Sequence, residues 1–425
     1  MTSPRNLLLI ALLFLGYLLW AQWQEDYGPN GTAAAPATPA PTTAAAPAPA
    51  TPSPPNSSST PEIPQAGTAP GATTPAPPTA ANPAAAPRVV VTTDVLRVEI
   101  DTQGGNVVVA DLLAYPQQPK DYAHPVRLLD DSASRFFVAQ SGLVSAAPAP
   151  DHTATFTAEK TEYKLADGAD SVEVPLTWTD PSGISVRKVL VFKRASYVIE
   201  QRQEITNKSN AEWSGNAYRQ LQRVPPIIDT HGIKAYSNTE RYSFVGVAWY
   251  NASDKFQKIP FDSFAKDSTQ KDPLQKSFAG GWAAMLQHYF FAAWIPAPAE
   301  VDEYSTKFVP NADGPRYLVR VMSPTISVAP GETKSDSARL YVGPKLASTL
   351  DEVSPGLSLA VDFGRLTVIA EPLHWILTQL HKLTGNWGFA IILLVLLIKA
   401  AFFKLSEAQY RSMARMRKMQ PRIEA

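Results

Sequence analysis

The residue with the clearest chemical potential stands in the most apolar stretch of the chain. From Trp387 to Phe403 nearly every side chain is hydrocarbon, and Lys399 is the one charge among them. A lysine at the centre of a membrane helix costs about 2.5 to 3.5 kcal/mol on insertion scales, so it is retained where it reaches water, a partner group or the membrane surface. Its helical neighbours Val395, Leu396, Phe402 and Phe403 offer no counter-charge, and the earlier apolar run Leu7 to Trp23 contains none. Two readings stay open. The ammonium attracts an acidic group from outside the chain, or it snorkels to an interface, since Lys404 follows five residues on, about 7.5 Å of helix.

The other candidates are weaker. Arg411, Arg415, Lys418 and Arg422 recur at helical spacing beside Met413, Met416 and Met419 until Pro421. Such a basic helix suits contact with anionic lipid, RNA or an incoming polypeptide, although topology alone would explain it. The histidines, at 124, 152, 231, 288, 374 and 381, lack ligand spacing, so no metal site is expected. No pattern commits the chain to catalysis: there is no helical histidine pair with a glutamate, no Gly-x-Ser-x-Gly elbow, no phosphate-cradling loop and no calcium loop. No catalytic residue, cofactor or enzymatic activity is expected. Gly280-Gly281-Trp282 and the aromatics Tyr289, Phe290, Phe291 and Trp294 could bind carbohydrate or peptide, but core packing explains them better. The chain has no cysteine, which excludes disulfides and thiolate chemistry. With 38 basic and 38 acidic residues it has no general affinity for polyanions, and DNA is not an expected partner.

The elements that would position Lys399 follow from composition. Residues 1–6 precede a first transmembrane helix at 7–23, which follows Arg5, ends in Trp20 and Trp23 and is succeeded by Glu25 and Asp26. That charge order puts the N-terminus in the cytosol. A cleaved signal peptide fits less well, because a cut after Ala21 would place Leu19 where a small residue is wanted. Residues 24–87, mostly Ala, Pro, Thr and Ser, cannot build a core and read as a disordered tether. From Arg88 the period changes to two: Leu96, Val98 and Ile100 alternate with Arg97 and Glu99. Val172 to Trp178 and Ile184 to Phe192 flank Asp180-Pro181-Ser182-Gly183, a type I turn sequence that predicts a hairpin. Residues 88–355 are therefore expected to form a large two-sheet sandwich. An amphipathic helix over 362–384, with Leu366, Ile369, Leu373, Ile376 and Leu380 on its apolar side, is expected to lie on the outer membrane surface. A second transmembrane helix spans 387–403, and the basic segment 404–425 marks the cytosolic side. The fold class is mixed: a large all-β external domain plus α-helical transmembrane segments.

These residues resemble a known family, the YidC-type membrane protein insertases of Gram-negative bacteria. The resemblance rests on Arg5-Asn6-Leu7-Leu8, on Gly281 to Phe290 with Ala293-Trp294-Ile295-Pro296, and on Tyr341-Val342-Gly343-Pro344. It is strongest at Gly385-Asn386-Trp387-Gly388-Phe389, followed by Ala408-Gln409-Tyr410 and Met413-Ala414-Arg415-Met416. The resemblance implies a periplasmic β-supersandwich of galactose-mutarotase-like fold, attached to a helical core in the inner membrane. It implies that Lys399 occupies the place of a single basic residue, usually arginine, in a hydrophilic groove open to the cytosol and lipid. Nascent inner-membrane proteins, the lipid bilayer and the Sec translocon are the implied partners, with the ribosome a further candidate. Two departures from the family stand out. Further spans follow the cytosolic loop in relatives, whereas this chain ends at Ala425, so as given it is expected to be inactive. Lys404 stands where many relatives have proline, which is expected to favour a continuous helix from the span into the loop. The competing reading is a membrane-tethered periplasmic binding module for carbohydrate or protein, with both spans serving only as anchors.

Overall fold

The computed structural model describes residues 87–118, 120–226, 243–264, 272–311, 314–362 and 367–423, with only the backbone at 348, 367 and 415–423. The first apolar run, the tether up to residue 86 and Leu366 lie outside the described residues.

Two sheets form a sandwich. The first is ten-stranded, in the order Gln275–Ala279, Val301–Val309, Arg316–Val328, Trp213–Arg223, Phe137–Ser145, Asn106–Pro116, Leu96–Asp101, Arg88–Thr92, Glu162–Lys164, with Pro125–Leu129 also paired to Asn106–Pro116. The second is nine-stranded, in the order Lys255–Pro260, Gly246–Asn251, Trp282–Leu286, Phe290–Pro296, Thr333–Pro344, Val198–Asn207, Ile184–Lys193, Ser171–Thr179, Thr157–Ala158. The expected hairpin forms as read: Ser171–Thr179 pairs antiparallel with Ile184–Lys193. Its turn is closed by Gly183 N–H to Asp180 O at 3.0 Å and by Ser182 N–H to Asp180 Oδ1 at 2.8 Å.

The strands Trp282–Leu286 and Phe290–Pro296 each read as an unbroken apolar run because they are buried on both faces. Ala283, Met285, Ala292 and Trp294 point into the space between the sheets. Trp282, Ala284, Leu286, Phe291, Ala293 and Ile295 point outward, where Leu350, Leu357 and Ala360 cover them. Those covering residues come from helix α1 (Ala347–Val353) and a 3-10 turn (Leu357–Val361). The alanines keep this face shallow enough for a helix to lie on it. Gly281 (φ +88°) is required where the chain enters, since a Cβ there would sit 2.1 Å from Tyr250 O. Trp282, Phe291 and Trp294 are thus core residues, as packing predicted, while Tyr289 is exposed.

Three helices follow: α2 (Thr367–Thr384), α3 (Trp387–Ala401) and α4 (Phe403–Ile423). Pro372 lies inside α2, which begins five residues before it. The expectation of a continuous helix through Lys404 fails: α3 and α4 are bent by 58° at Phe402. Proline is not needed for this bend, because Phe402 acts as a helix start. Its φ/ψ of −91°/5° are non-helical, and its carbonyl accepts the Ser406 N–H at 3.0 Å, the first bond of α4. Among the described residues no single helix is long and apolar enough to cross a membrane, although Trp387–Ala401 and Phe403–Ala414 are so as a bent pair.

Candidate functional site

Asn386 opens the lysine-bearing helix: its Oδ1 accepts the N–H of Gly388 at 2.8 Å and of Phe389 at 3.4 Å, satisfying the first free donors of α3. Along the fifteen residues of α3 most side chains are hydrocarbon, with Ile391, Ile392, Leu396 and Leu397 all exposed. Lys399 sits in the last turn, where a cation complements the helix dipole. It is exposed between exposed Val395, Leu396, Phe402 and Phe403, and has no ion pair among the described residues. From Lys399 to the bend is about one helical turn, so the ammonium stands near the end of the apolar rod rather than at its middle.

The other residues singled out by spacing fall on either side. On α2, Leu373, Ile376, Leu377 and Leu380 are half-buried, whereas Val368, Ile369, Trp375 and Leu383 are exposed. The apolar arc of α2 is therefore divided between a part covered by protein and a part left uncovered. Arg411 pairs with Glu407 one turn earlier on α4 at 2.6 Å. Arg415, Lys418 and Arg422 lie on the same helix, but their side chains are outside the described residues. Lys399 and these basic residues thus occupy different helices, separated by the bend.

A second polar feature, missed by the sequence reading, crosses the interior of the sandwich. Lys188, Gln203 and Asp336 stand side by side on adjacent strands of the second sheet, and Ser141 stands beside Arg219 on the first. All are buried. The two rows meet: Lys188 Nζ donates to Gly104 O (2.6 Å), Ser141 O (3.0 Å) and Ser141 Oγ (3.1 Å), Ser141 Oγ donates to Gln201 Oε1 (2.8 Å), and Arg219 pairs with Asp336. This belt separates the main core from a smaller cluster around Trp213, Ile184, Val186 and Ile205. Asp302 is fully buried near Arg219, and neither of its carboxylate oxygens has a hydrogen-bond partner among the described residues. Burial pushes its carboxyl up to about 7, against the pull of Arg219, and burial also draws the Lys188 ammonium down to about 7. The signal was present in the sequence as charges at inward positions of alternating strands, between Val186 and Leu190 and between Ala217 and Leu221.

The outward face of the first sheet carries a recess of about 330 Å³ lined by Asp101, Asn106, Gln140, His152, Gln222 and Arg316 among others. His152 is held there by Tyr218, whose hydroxyl accepts the His152 backbone N–H at 2.9 Å and lies 2.6 Å from Nδ1. The segment carrying His152 can lie this close because of Gly104, where a Cβ would be 2.1 Å from His152 O.

Comparison with known proteins gives these features a family. Residues 88–376 match the family described as YidC periplasmic domain, and residues 379–425 match 60Kd inner membrane protein. The membrane protein insertase YidC of Methylococcus capsulatus is 40% identical over 95% of this chain and 69% of its own length. That of Nitrosococcus oceani is 39% identical over 100% of this chain and 73% of its own. Among solved structures, a galactose mutarotase related enzyme from Lactobacillus acidophilus matches with a TM-score of 0.36 at 10% identity, over 60% of this chain and 97% of that one. A galactose mutarotase-like protein from Clostridium acetobutylicum matches with a TM-score of 0.35 at 11% identity, over 59% and 93%. The matched family models and the relatives together establish that the chain belongs to the YidC family of membrane protein insertases, inner-membrane proteins with a periplasmic domain.

Proposed function

We propose that this chain receives apolar segments of nascent inner-membrane proteins and passes them into lipid, with Lys399 as the residue that meets them. The observation that carries this reading is the exposed ammonium on α3, without an ion pair among the described residues, one turn before the bend on an otherwise largely hydrocarbon helix. In a hydrophilic groove open to the cytosol, Lys399 attracts the acidic flank of a substrate and shortens the hydrocarbon path that flank must cross. The apolar segment then leaves for lipid because its burial is favourable, so no nucleotide is consumed and no covalent intermediate forms. Lysine keeps the charge of the more usual arginine but loses its planar fork of donors, which suits transient attraction over tight pairing.

In this arrangement both ends of the chain are cytosolic and the sandwich is periplasmic. The uncovered arc of α2, with Ile369 among its exposed residues, rests on the outer membrane surface, and half-buried Leu373, Ile376 and Leu380 border it. Arg411, Arg415, Lys418 and Arg422 help to receive the emerging chain, with the ribosome and the Sec translocon as partners for larger substrates.

The chain completed with the remaining C-terminal segment of the Methylococcus capsulatus relative provides the test. Lys399→Leu is expected to slow insertion of substrates with acidic flanks about tenfold, the equivalent of about 1.4 kcal/mol of lost attraction, while neutral flanks are unaffected and Lys399→Arg stays active. Equal slowing of acidic and neutral flanks would contradict the proposed role. The recess beneath His152 supports a second reading, a tethered module that binds carbohydrate or protein. Its ligand binding would survive Lys399→Leu unchanged.

A further inference from the structure

Two rings meet across the corner between α2 and α3. His381, in the last turn of α2, lies flat against Trp387, the first residue of α3, with centroids 3.8 Å apart and planes 9° from parallel. Each helix end has its own caps, and the Thr384 hydroxyl also bridges the corner, donating to Asn386 O at 3.1 Å. Gly385 N–H donates to His381 O at 2.8 Å to close α2, and the Asn386 side chain together with Ala390 N–H to Asn386 O at 3.0 Å opens α3. Gly385 itself is unconfined: its φ is +64°, and a Cβ there would meet nothing within 4 Å. These bonds fix the helix ends and the turn residues, while at Gly385 itself no steric stop limits the angle between the helices. The helices pack along a narrow seam, in which Ala390 is the one fully buried residue of α3. An aromatic stack spanning such a corner restricts that angle directly, because sliding or tilting the rings loses their contact.

We propose that His381 and Trp387 are positioning residues, whose stack sets the angle at which α3 leaves α2 and thereby where Lys399 stands relative to the membrane surface. This inference rests on the reading of Lys399 as the residue that meets substrate. Lys399 lies twelve residues beyond Trp387, about 18 Å along the helix, so a change of about 20° at the corner moves its Cα by about 6 Å. That displacement is larger than the reach of a hydrogen bond and comparable to the stem of lysine itself. Loss of a ring stack changes the balance between corner conformations about two- to tenfold.

The chain contains no cysteine, so nitroxide labels attach only where cysteine is introduced. Glu371→Cys and Leu397→Cys place one label on the exposed side of each helix, and pulsed electron paramagnetic resonance in lipid nanodiscs reads the distance distribution between them. His381→Leu is expected to broaden that distribution and, in the completed chain, to slow acidic-flank substrates about two- to tenfold. His381→Phe, which keeps a flat ring, restores both. An unchanged distribution in His381→Leu overturns the proposal, as does a changed distribution with unaltered insertion or a failure of phenylalanine to rescue. Lys399→Leu is measured alongside: unimpaired insertion in that variant removes the underlying reading of Lys399, while the distance measurement still judges the stack by itself.

Discussion

Asp336→Asn is expected to destabilise the sandwich by about 3 to 5 kcal/mol, and the double variant Arg219→Met with Asp336→Leu to recover most of that loss. The reason lies in the asymmetry of buried pairs. Arg219 and Asp336 face each other from the two sheets, both buried, and the pair is the direct ionic tie between them in the belt. Arg219 Nε and Nη1 have no hydrogen-bond partner among the described residues, so the guanidinium depends on Asp336 for compensation. Removing the carboxylate leaves a charge deep in the protein with only a long contact to Ser337 O at 3.5 Å and the raised Asp302 carboxyl nearby, which offset little of its lost hydration. Removing both partners replaces the pair with apolar volume of similar size, at little net cost. Thermal and denaturant unfolding of the chain in detergent measure both variants. A single variant within about 1 kcal/mol of wild type would show that water or rearrangement compensates Arg219.

The second large effect is a pH dependence that Asp302→Asn removes. Burial raises the Asp302 carboxyl from 3.8 to about 7. The folded protein therefore holds a proton there that the unfolded chain has already released. Between about pH 4 and pH 7 the folded state binds more protons, so this group's stabilisation is full below about pH 4 and is lost as pH rises through about 7. The whole swing amounts to about 2 to 4 kcal/mol. Asparagine resembles the protonated form in shape and does not titrate. Relative to Asp302→Asn, wild type should lose stability between about pH 4 and pH 7, with the two curves parallel at higher pH. Arg219, Glu300 and Asp336 are the charges that act on Asp302, and Tyr304 on the same strand responds to it. Parallel curves throughout would mean that Arg219 keeps Asp302 ionised despite its burial.

Much of the sandwich was legible because its strands alternate and its turns use residues with one conformational purpose. Asp180 to Gly183 reads as the hairpin turn and Leu96 to Ile100 as an alternating strand, since each pattern is complete within a few consecutive residues. The belt was harder to read. Lys188 and Arg219 look like surface residues to a period-two reading until both flanking inward positions are known to be buried, and their partners lie on strands distant in sequence. The bend at Phe402 escapes the sequence for a related reason. Lysine in place of proline at 404 predicts continuity, whereas the local backbone ends one helix and caps the next without proline. The corner at Gly385-Asn386 was visible as a motif, but its stacking depends on a ring one and a half turns earlier. Lys399 itself was plain in the sequence, because a lone charge in hydrocarbon carries its own physical question. The answer depends on what surrounds it, which a single chain does not encode.

Protease protection of a small single-span substrate is the most direct test of the insertase reading. The substrate would be added to nucleotide-free liposomes carrying the chain completed with the C-terminal segment of its Methylococcus capsulatus relative. The predicted result is a protected substrate band with Lys399 intact, and slower protection of an acidic-flank substrate with Lys399→Leu. Complete digestion of the substrate, with the insertase folded and its sandwich correctly oriented, would contradict autonomous insertion and leave the tethered binding module as the better account.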